Sequence, residues 1–320
     1  MYEIIVNPSS RSGKGQMIWA KLENIFKDFN VEYRLHYTKD FGKEDTTVKI
    51  LYEEYHNKGE VLHLVVMGGD GTINGVLQRL PGFDNVKLTI VPIGSSNDLA
   101  RDLGITGKFE DIVRKFLETP EYINVDIGQV HCENTLVRAG AMDIPDRRFI
   151  VSAGIGFDAA ICEEALHSKI KDFLNKIGLG KLTYVGIALK QLAAMKYITG
   201  ELTLEDDEET IIPLDKLIFV TGMNHRFEGG GFMFGPEADN HDGLLEICAV
   251  TKVAKSKVLR ILPTAYKGEH FRFDGVDHYR ASKYTVRTSE PLWVHVDGEV
   301  GTKADFVEVS VLREALRIVY

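Results

Sequence analysis

The sequence predicts a two-part chain. An α/β domain with a parallel sheet covers residues 1–127, and a mainly β domain of sandwich type, interrupted by helices, covers 128–309. Three observations predict it. Short apolar runs alternate with amphipathic segments up to about residue 127. Beyond that point strand-like runs dominate, several alternating apolar and polar residues as antiparallel strands with one buried face do. Two of the early strands also stop at glycine-rich turns, as strands of open parallel sheets do where they meet a ligand. At 320 residues, 44% hydrophobic and 27% charged, the chain can build two cores.

In chain order, strands are expected at "YEIIV" (2–6), "VEYRLHY" (31–37), "VLHLVVM" (61–67) and "VKLTIVP" (86–92). Between them "GQMIWAKLENIFKDF", "KEDTTVKILYEEYHN" and "TINGVLQRL" repeat apolar residues every three or four positions, as helices require. After "YINVDIGQV" comes the strand "RRFIVSAGIGF", then helical stretches near 157–175 and 179–196. The remaining runs read as strands: "YITGELTLE", "KLIFVTGMN", "GLLEICAV", "YRASKYTVRT" (279–288), "PLWVHVDGEV" and "ADFVEVSVL". The acidic "EDDEET" (205–210) suits a hairpin tip. The tail 310–320 either ends in the second domain or returns to complete the first.

A net charge of −9 argues against a nucleic-acid binder that covers phosphates with a basic surface. Three scattered cysteines with no CxxC pair fit a reducing interior. No basic stretch followed by a long apolar run opens the chain, and no run reaches the roughly 18 apolar residues of a spanning helix. The expected location is cytoplasmic, peripheral at a membrane if membranes are touched at all.

The chemistry concentrates at the strand ends. In "LVVMGGDGTING" (64–75), glycines let backbone N–H groups approach a ligand, and the following helix adds a field that favours anions. A tight turn with a helix-capping aspartate is the rival reading. "SGKGQ" at 12–16 is no Walker A loop, because Pro8 stands where its first glycine belongs. "GIGFDA" (154–159) matches GxGxxA, but no second strand with an acid about 20 residues on follows. Those glycines are expected to allow close packing near the interdomain cleft.

"VNPSSRSGKG", "GGDGTIN" and "PIGSSNDLAR", in this order, resemble the catalytic domain of the diacylglycerol kinase family, specifically the soluble bacterial-type lipid kinases that share a fold with NAD kinases. "NVDIG", "AGIGFDA", "GGGFMFGPEADNHDGLLEI" and "VDGE" extend the resemblance over essentially the whole chain. Two departures stand out: Ser95 and Ser96 replace a common threonine, and Ser152 replaces an expected asparagine. The resemblance implies ATP and Mg2+ as cofactors. It implies nucleotide contacts from Asn7, Ser9, Ser10, Thr38, Gly68, Gly69, Asp70, Gly71, Thr72, Ile73, Asn74, Gly94, Ser95, Asn97 and Asp98. Asp70, Asp98 and Asp126 are the carboxylates expected around the active-site magnesium and its water, although Asp98 also reads as a first-turn helix acid and Asp126 as a strand-end cap. A second, structural magnesium is implied at Asp239, Asp242 and the Leu244 carbonyl, in a "DNHDG" stretch that also suits a plain turn. The glutamate of VDGE, Glu299, is implied as the base that takes the acceptor's proton, and Asp70 competes for the role.

The expected reaction is γ-phosphate transfer to a lipid hydroxyl, diacylglycerol first, reached from the membrane surface. The alternatives are a soluble-substrate kinase of NAD kinase type and a non-catalytic nucleotide- or lipid-binding regulator. Lys169, Lys171, Lys176, Lys181, Lys190 and Lys196, beside Phe173, Leu174, Ile177, Leu179 and Leu182, form a candidate lipid-facing surface. Phe232, Met233 and Phe234 either line an acyl-chain entrance or belong to the core. Oligomeric state stays open, a homodimer among the alternatives.

Overall fold

The computed structural model describes residues 1–38, 46–133, 135–137, 146–167, 180–205 and 209–320, without the side chains of residues 12, 167 and 180–185. Its first part runs β1 (Tyr2–Val6), α1 (Ser10–Gly13), α2 (Gly15–Asp28), β2 (Tyr33–Tyr37), α3 (Thr47–Lys58), β3 (Leu62–Gly68), α4 (Asp70–Arg79), β4 (Val86–Pro92), α5 (Asp98–Asp102) and α6 (Phe109–Glu118). Strands β2, β1, β3 and β4 lie side by side in that order, all parallel. Near-continuous apolar runs such as Leu64–Met67 and Leu88–Val91 are fully covered because helices pack on both faces. The two cores share β3: Leu64 and Val66 face one, Val65 and Met67 the other. Glu3 is buried in β1 and bonded to Arg34, His36 and Tyr55.

The second part runs β5 (Tyr122–Glu133), β6 (Leu136–Val137), β7 (Asp146–Phe149), β8 (Ser152–Gly156), α7 (Phe157–His167), α8 (Gly180–Ala194), β9 (Ile198–Glu205), β10 (Glu209–Leu217), β11 (Phe219–Met223), β12 (Leu245–Val250), α9 (Lys255–Ile261), β13 (Val276–Ala281), β14 (Lys283–Val296) and β15 (Glu299–Val319). Strands β13, β12, β11, β8, β14 and β15 are antiparallel neighbours over a separate apolar cluster. Together the two parts form a parallel α/β unit and a sandwich-like β unit, the class expected from the sequence.

Strand β15 joins them. Its first half pairs with β14 up to Ser310, its second half with β5, and its last three residues with β4 in parallel. The register breaks between Leu312 and Leu316, and Glu314 has φ 48°, a local kink of the kind that redirects a strand. The tail 317–319 therefore lies in the first sheet.

Several sequence readings change. "YRASKYTVRT" is two strands separated at Ser282, and its second half continues through Pro291 into "WVHV" as β14. Part of the "SSRSG" loop is the short helix α1. Strands β9 and β10 form the expected hairpin, whose tip at 206–208 lies outside the described residues. So do Lys169, Lys171, Lys176, Phe173, Leu174, Ile177 and Leu179, and the side chains of Lys181 and Leu182.

Candidate active site

In the order β2-β1-β3-β4 the chain reverses direction of progress between β1 and β3, the place where open sheets bind ligands at their carboxyl ends. Asn7 follows β1, Thr38 follows β2, Gly69 and Asp70 follow β3, and Gly94 to Asn97 follow β4, so four sequence-predicted segments converge on one edge. Asn7 links the end of β1 to α4: its Nδ2 donates to Thr72 Oγ1 at 2.9 Å, and its Oδ1 accepts the Ser9 N–H at 2.9 Å. The Thr38 N–H donates to the Val6 carbonyl at 3.0 Å. Ser9, Ser95 and Ser96 have hydroxyl-bearing side chains exposed at this edge, while Ser10 is half-buried and Ile73 and Asn74 are buried in α4.

The turn glycines are packed against protein. A Cβ on Gly69 would stand 3.0 Å from the Gly94 Cα, and one on Gly94 would strike the Gly69 Cα and sit 2.6 Å from Asn97 Oδ1. A Cβ on Gly68 would strike Thr72. The two turns therefore touch backbone to backbone, and their glycines set the distance between the β3 and β4 strand ends. A Cβ on Gly71 would meet neither turn; its near neighbour would be Glu299 Oε1.

Asp70 opens α4, yet it bonds the next helix. Its Oδ2 accepts the Asp98 N–H at 3.0 Å and its Oδ1 the Leu99 N–H at 3.3 Å, satisfying amides that the start of α5 leaves unpaired. Burial pushes its pKa up to about 6, with the nearby Asp98 charge adding to the rise and the two amides opposing it. Asp98 begins α5, as its first-turn position predicts, and is 3% exposed, so its bonds are internal. It pairs with Arg101, and its Oδ2 accepts the Gly230 N–H at 2.7 Å from the second part.

The VDGE turn reaches the same place from β14. Asp297, at φ 51°, accepts four donors: Asn74 Nδ2 at 2.8 Å and the Ile150, Val151 and Ser152 N–H groups at 3.1, 2.8 and 3.1 Å. That saturated carboxylate fixes the turn, and two residues later Glu299 extends towards the glycine turn. A Cβ added to Gly71 would stand 2.9 Å from Glu299 Oε1. Arg147, which the sequence reading did not single out, donates to the Glu299 carbonyl and to Asn74 Oδ1, both at 3.3 Å, while its buried Nε has no partner.

The expected metal donors do not fit a direct cage. Asp126 is fully buried, its oxygens accepting the Gly243 and Glu314 N–H groups at 2.7 and 2.5 Å. It staples β5 to the 239–243 loop and to the kink in β15. Asp239 is ion-paired to His241 at 2.6 Å, and Asp242 pairs with Arg280 while accepting the Leu244 N–H at 2.8 Å. Each carboxylate therefore already has a protein partner. Among the described residues no group of three His, Cys, Asp or Glu side chains could hold a metal ion.

Beneath the VDGE turn lies a buried cluster that sequence reasoning missed. His295, fully buried, faces Asp158 at 3.1 Å and Glu228 at 3.3 Å. Burial alone would lower the His295 pKa, but the carboxylates of Glu228 and Asp158 outweigh it and push it up to about 9. Burial pushes Glu228 up to about 7. Asp158 Oδ1 and Glu228 Oε2 are buried without a hydrogen-bond partner. Gly154 of "GIGFDA" leaves room for this cluster, since a Cβ there would strike Asp158 and stand 2.5 Å from His295 Nε2. The only hint in sequence was a histidine at an inward position of "LWVHVDGE".

Residues 2–130 match the family described as diacylglycerol kinase catalytic domain, and residues 150–320 the family described as YegS C-terminal NAD kinase beta sandwich-like domain. A diacylglycerol kinase of Mycobacterium tuberculosis is 29% identical over 256 residues, covering 80% of this chain and 75% of that protein. A diacylglycerol kinase of Bacillus subtilis strain 168 is 28% identical over 303 residues, covering 93% and 89%. The fold also resembles a crystal structure of a diacylglycerol kinase from Bacillus anthracis strain Sterne, with TM-score 0.66, 17% identity, and 100% of this chain and 96% of that one covered. With both halves matched and the strand-end turns and VDGE turn facing each other, the chain belongs to the diacylglycerol kinase family and is by class a phosphotransferase.

Proposed function

We propose that the protein transfers the γ-phosphate of ATP to a lipid hydroxyl, with diacylglycerol the first choice and phosphatidic acid the product. The observation that carries this reading is the approach of Glu299 Oε1 to Gly71 across the cleft. A carboxylate on a turn fixed by Asp297 meets a glycine turn suited to phosphate, where a base must stand for in-line attack by an alcohol. In this reading the phosphates lie over the exposed hydroxyls of Ser9 and Ser95 and the turn amides of 69–72, and Glu299 takes the acceptor's proton as the bond to phosphorus forms. Asp70 acts through α5: by holding the Asp98 and Leu99 amides it fixes the wall opposite Glu299. The named substrates of the relatives support the lipid acceptor. Magnesium is expected to arrive with the nucleotide phosphates, since the carboxylates at the edge are engaged by N–H donors.

Two substitutions test the division of labour. Glu299→Gln keeps size and shape but removes the base, so turnover should fall by about 10²-fold or more with little change in ATP affinity. Asp70→Asn should weaken ATP affinity along with turnover, because it disturbs the turn. Near-normal turnover in Glu299→Gln, with loss confined to Asp70→Asn, would move the base to Asp70.

A further inference from the structure

Of the expected lipid-facing lysines, Lys190 is ion-paired to Glu164, and a second basic segment lies within the described residues. Between 252 and 272 stand Lys252, Lys255, Lys257, Arg260, Lys267 and Arg272 against a single acid, Glu269, in a chain whose net charge is −9. Helix α9 continues directly into a 3-10 segment, Leu262–Lys267. Val258, Ile261 and Ala265 are buried beneath it. Its exposed residues recur at helical spacing: Ser256 and Lys257, Leu259 and Arg260, Pro263, then Tyr266 and Lys267. Leu259 is 43% and Tyr266 44% exposed, so two apolar side chains stand in solvent between cations. Lys252 is paired with Asp215, Arg272 with Glu269, and Lys255 donates to the Ala193 and Met195 carbonyls. Lys257 borders a groove that also holds Asp274 and Asp277. Among the described residues Arg260 and Lys267 have no carboxylate partner.

This stripe is continuous with the candidate active site. Tyr266 stacks on Phe232 at 4.0 Å, and Phe232 on Phe234 at 5.6 Å. A Cβ on Gly231 would stand 4.0 Å from the Tyr266 ring and 3.2 Å from the Arg101 guanidinium. The adjacent Gly230 N–H is the one that Asp98 accepts. Arg101 and Arg226, 39% and 44% exposed, flank the Phe227 ring on the same rim.

We propose that the α9 stripe, Leu259 and Tyr266 flanked by Arg260 and Lys267, is the surface that rests on an anionic phospholipid bilayer and presents the cleft to it; this rests on the lipid kinase reading above. Apolar tips between cations on one side of a short helix lying in the plane fit the headgroup boundary, where tyrosine is favoured and each basic side chain adds attraction to anionic lipid. The net negative charge of the rest of the molecule keeps its other faces off such a surface. A nucleic acid would be served by cations without the exposed leucine, and the acidic whole disfavours it.

The test is sedimentation of the whole protein with vesicles of phosphatidylcholine mixed with phosphatidylglycerol, and with vesicles of phosphatidylcholine alone. Wild type should bind the mixed vesicles, bind the neutral ones far less, and release as salt is raised. Arg260→Glu with Lys267→Glu should weaken binding to the mixed vesicles by about tenfold or more, and Leu259→Ser should weaken it by a smaller factor. All positions are exposed, and an unchanged melting temperature checks that the fold is intact. Both variants should still phosphorylate a soluble short-chain diacylglycerol at the wild-type rate. Equal binding to both vesicle types, or unchanged binding by the double variant, would overturn the proposal. So would loss of turnover on the soluble substrate. If wild type phosphorylates no diacylglycerol yet binds mixed vesicles through Arg260 and Lys267, the surface stands and the substrate reading falls.

Discussion

At the residue scale, two buried ionisable groups set the pH behaviour. Asp70 has its pKa pushed up from the ordinary aspartate range to about 6 by burial, so its negative charge is lost as pH falls through about 6. Turnover should fall over that window, measured as kcat against pH, and stay flat above it. The stability sign is opposite. A carboxyl whose folded pKa lies above its unfolded value contributes stability present at low pH and lost as pH rises through about 6. Asp70→Asn removes the buried charge but also one of the two acceptors that hold the α5 amides, so its stability should lose the pH dependence centred near 6 while turnover is impaired. An unchanged pH dependence of the melting temperature would contradict the burial argument.

His295 follows the other branch. Its folded pKa is raised to about 9, so the stability it contributes is complete below the ordinary histidine pKa of about 6.5 and is lost as pH climbs through about 9. Replacing it with Gln leaves Asp158 and Glu228 buried without their cation, at a cost of about 3–5 kcal/mol near neutral pH. Urea unfolding of wild type and His295→Gln should converge in stability above pH 9. A constant gap across that range would mean that His295 is neutral in the folded protein.

Local residues were legible in sequence to the extent that their partners were local. Asp98 was readable as a first-turn acid because its helix follows it at once. Asp70 was readable as part of a phosphate-suited turn or as a cap of its own helix, and its hydrogen-bond partners are amides 28 and 29 positions on. The His295 and Asp158 pair is 137 positions apart, and no periodicity reports such a contact. Ser152, the departure from the family pattern, lies beside Glu228 in this cluster.

At the scale of elements, the strand ends matter more than the strands. β1 to β4 were visible because each is an apolar run bounded by turn residues. That their turns meet was visible only as adjacency; the contact of Gly69 with Gly94 is what joins the β3 and β4 turns into one rigid edge. Gly94→Ala forces a Cβ against backbone, which cannot give as a side chain can, and overpacking of this kind costs about 1–3 kcal/mol. Calorimetric titration with ATP should record a larger loss in affinity than thermal unfolding records in stability. Unchanged affinity would mean that the edge is not where the nucleotide sits. Arg148 was also illegible beforehand: it donates to the Leu80 and Pro81 carbonyls after α4, satisfying groups that a helix end leaves open.

At the scale of the whole molecule, the two parts are joined by polar contacts at the cleft and by one shared strand. Asn74 meets Asp297, Asp98 meets Gly230, and Asp102 meets His225 and Arg226 at 2.8 and 2.6 Å. Strand β15 carries the chain from one sheet to the other, with Asp126 holding its kink. Sequence left the fate of the tail open, because "LREALRIVY" has no alternation that favours either sheet and only the pairing with β4 and β5 decides it. The glycine turn from the first part and the Glu299-bearing turn from the second are thereby set against each other. In this frame the site is a composite, and no element of it carries the chemistry alone.

The central claim is that this composite moves phosphate to a lipid alcohol. The direct measurement incubates the protein with labelled ATP and magnesium against diacylglycerol, phosphatidylglycerol, a sphingoid base, ceramide and NAD, each with wild type and Glu299→Gln. Label in a lipid product, diacylglycerol foremost, that disappears with Glu299→Gln is the result this account requires. Label in NAD alone, or lipid labelling that survives Glu299→Gln undiminished, would contradict it.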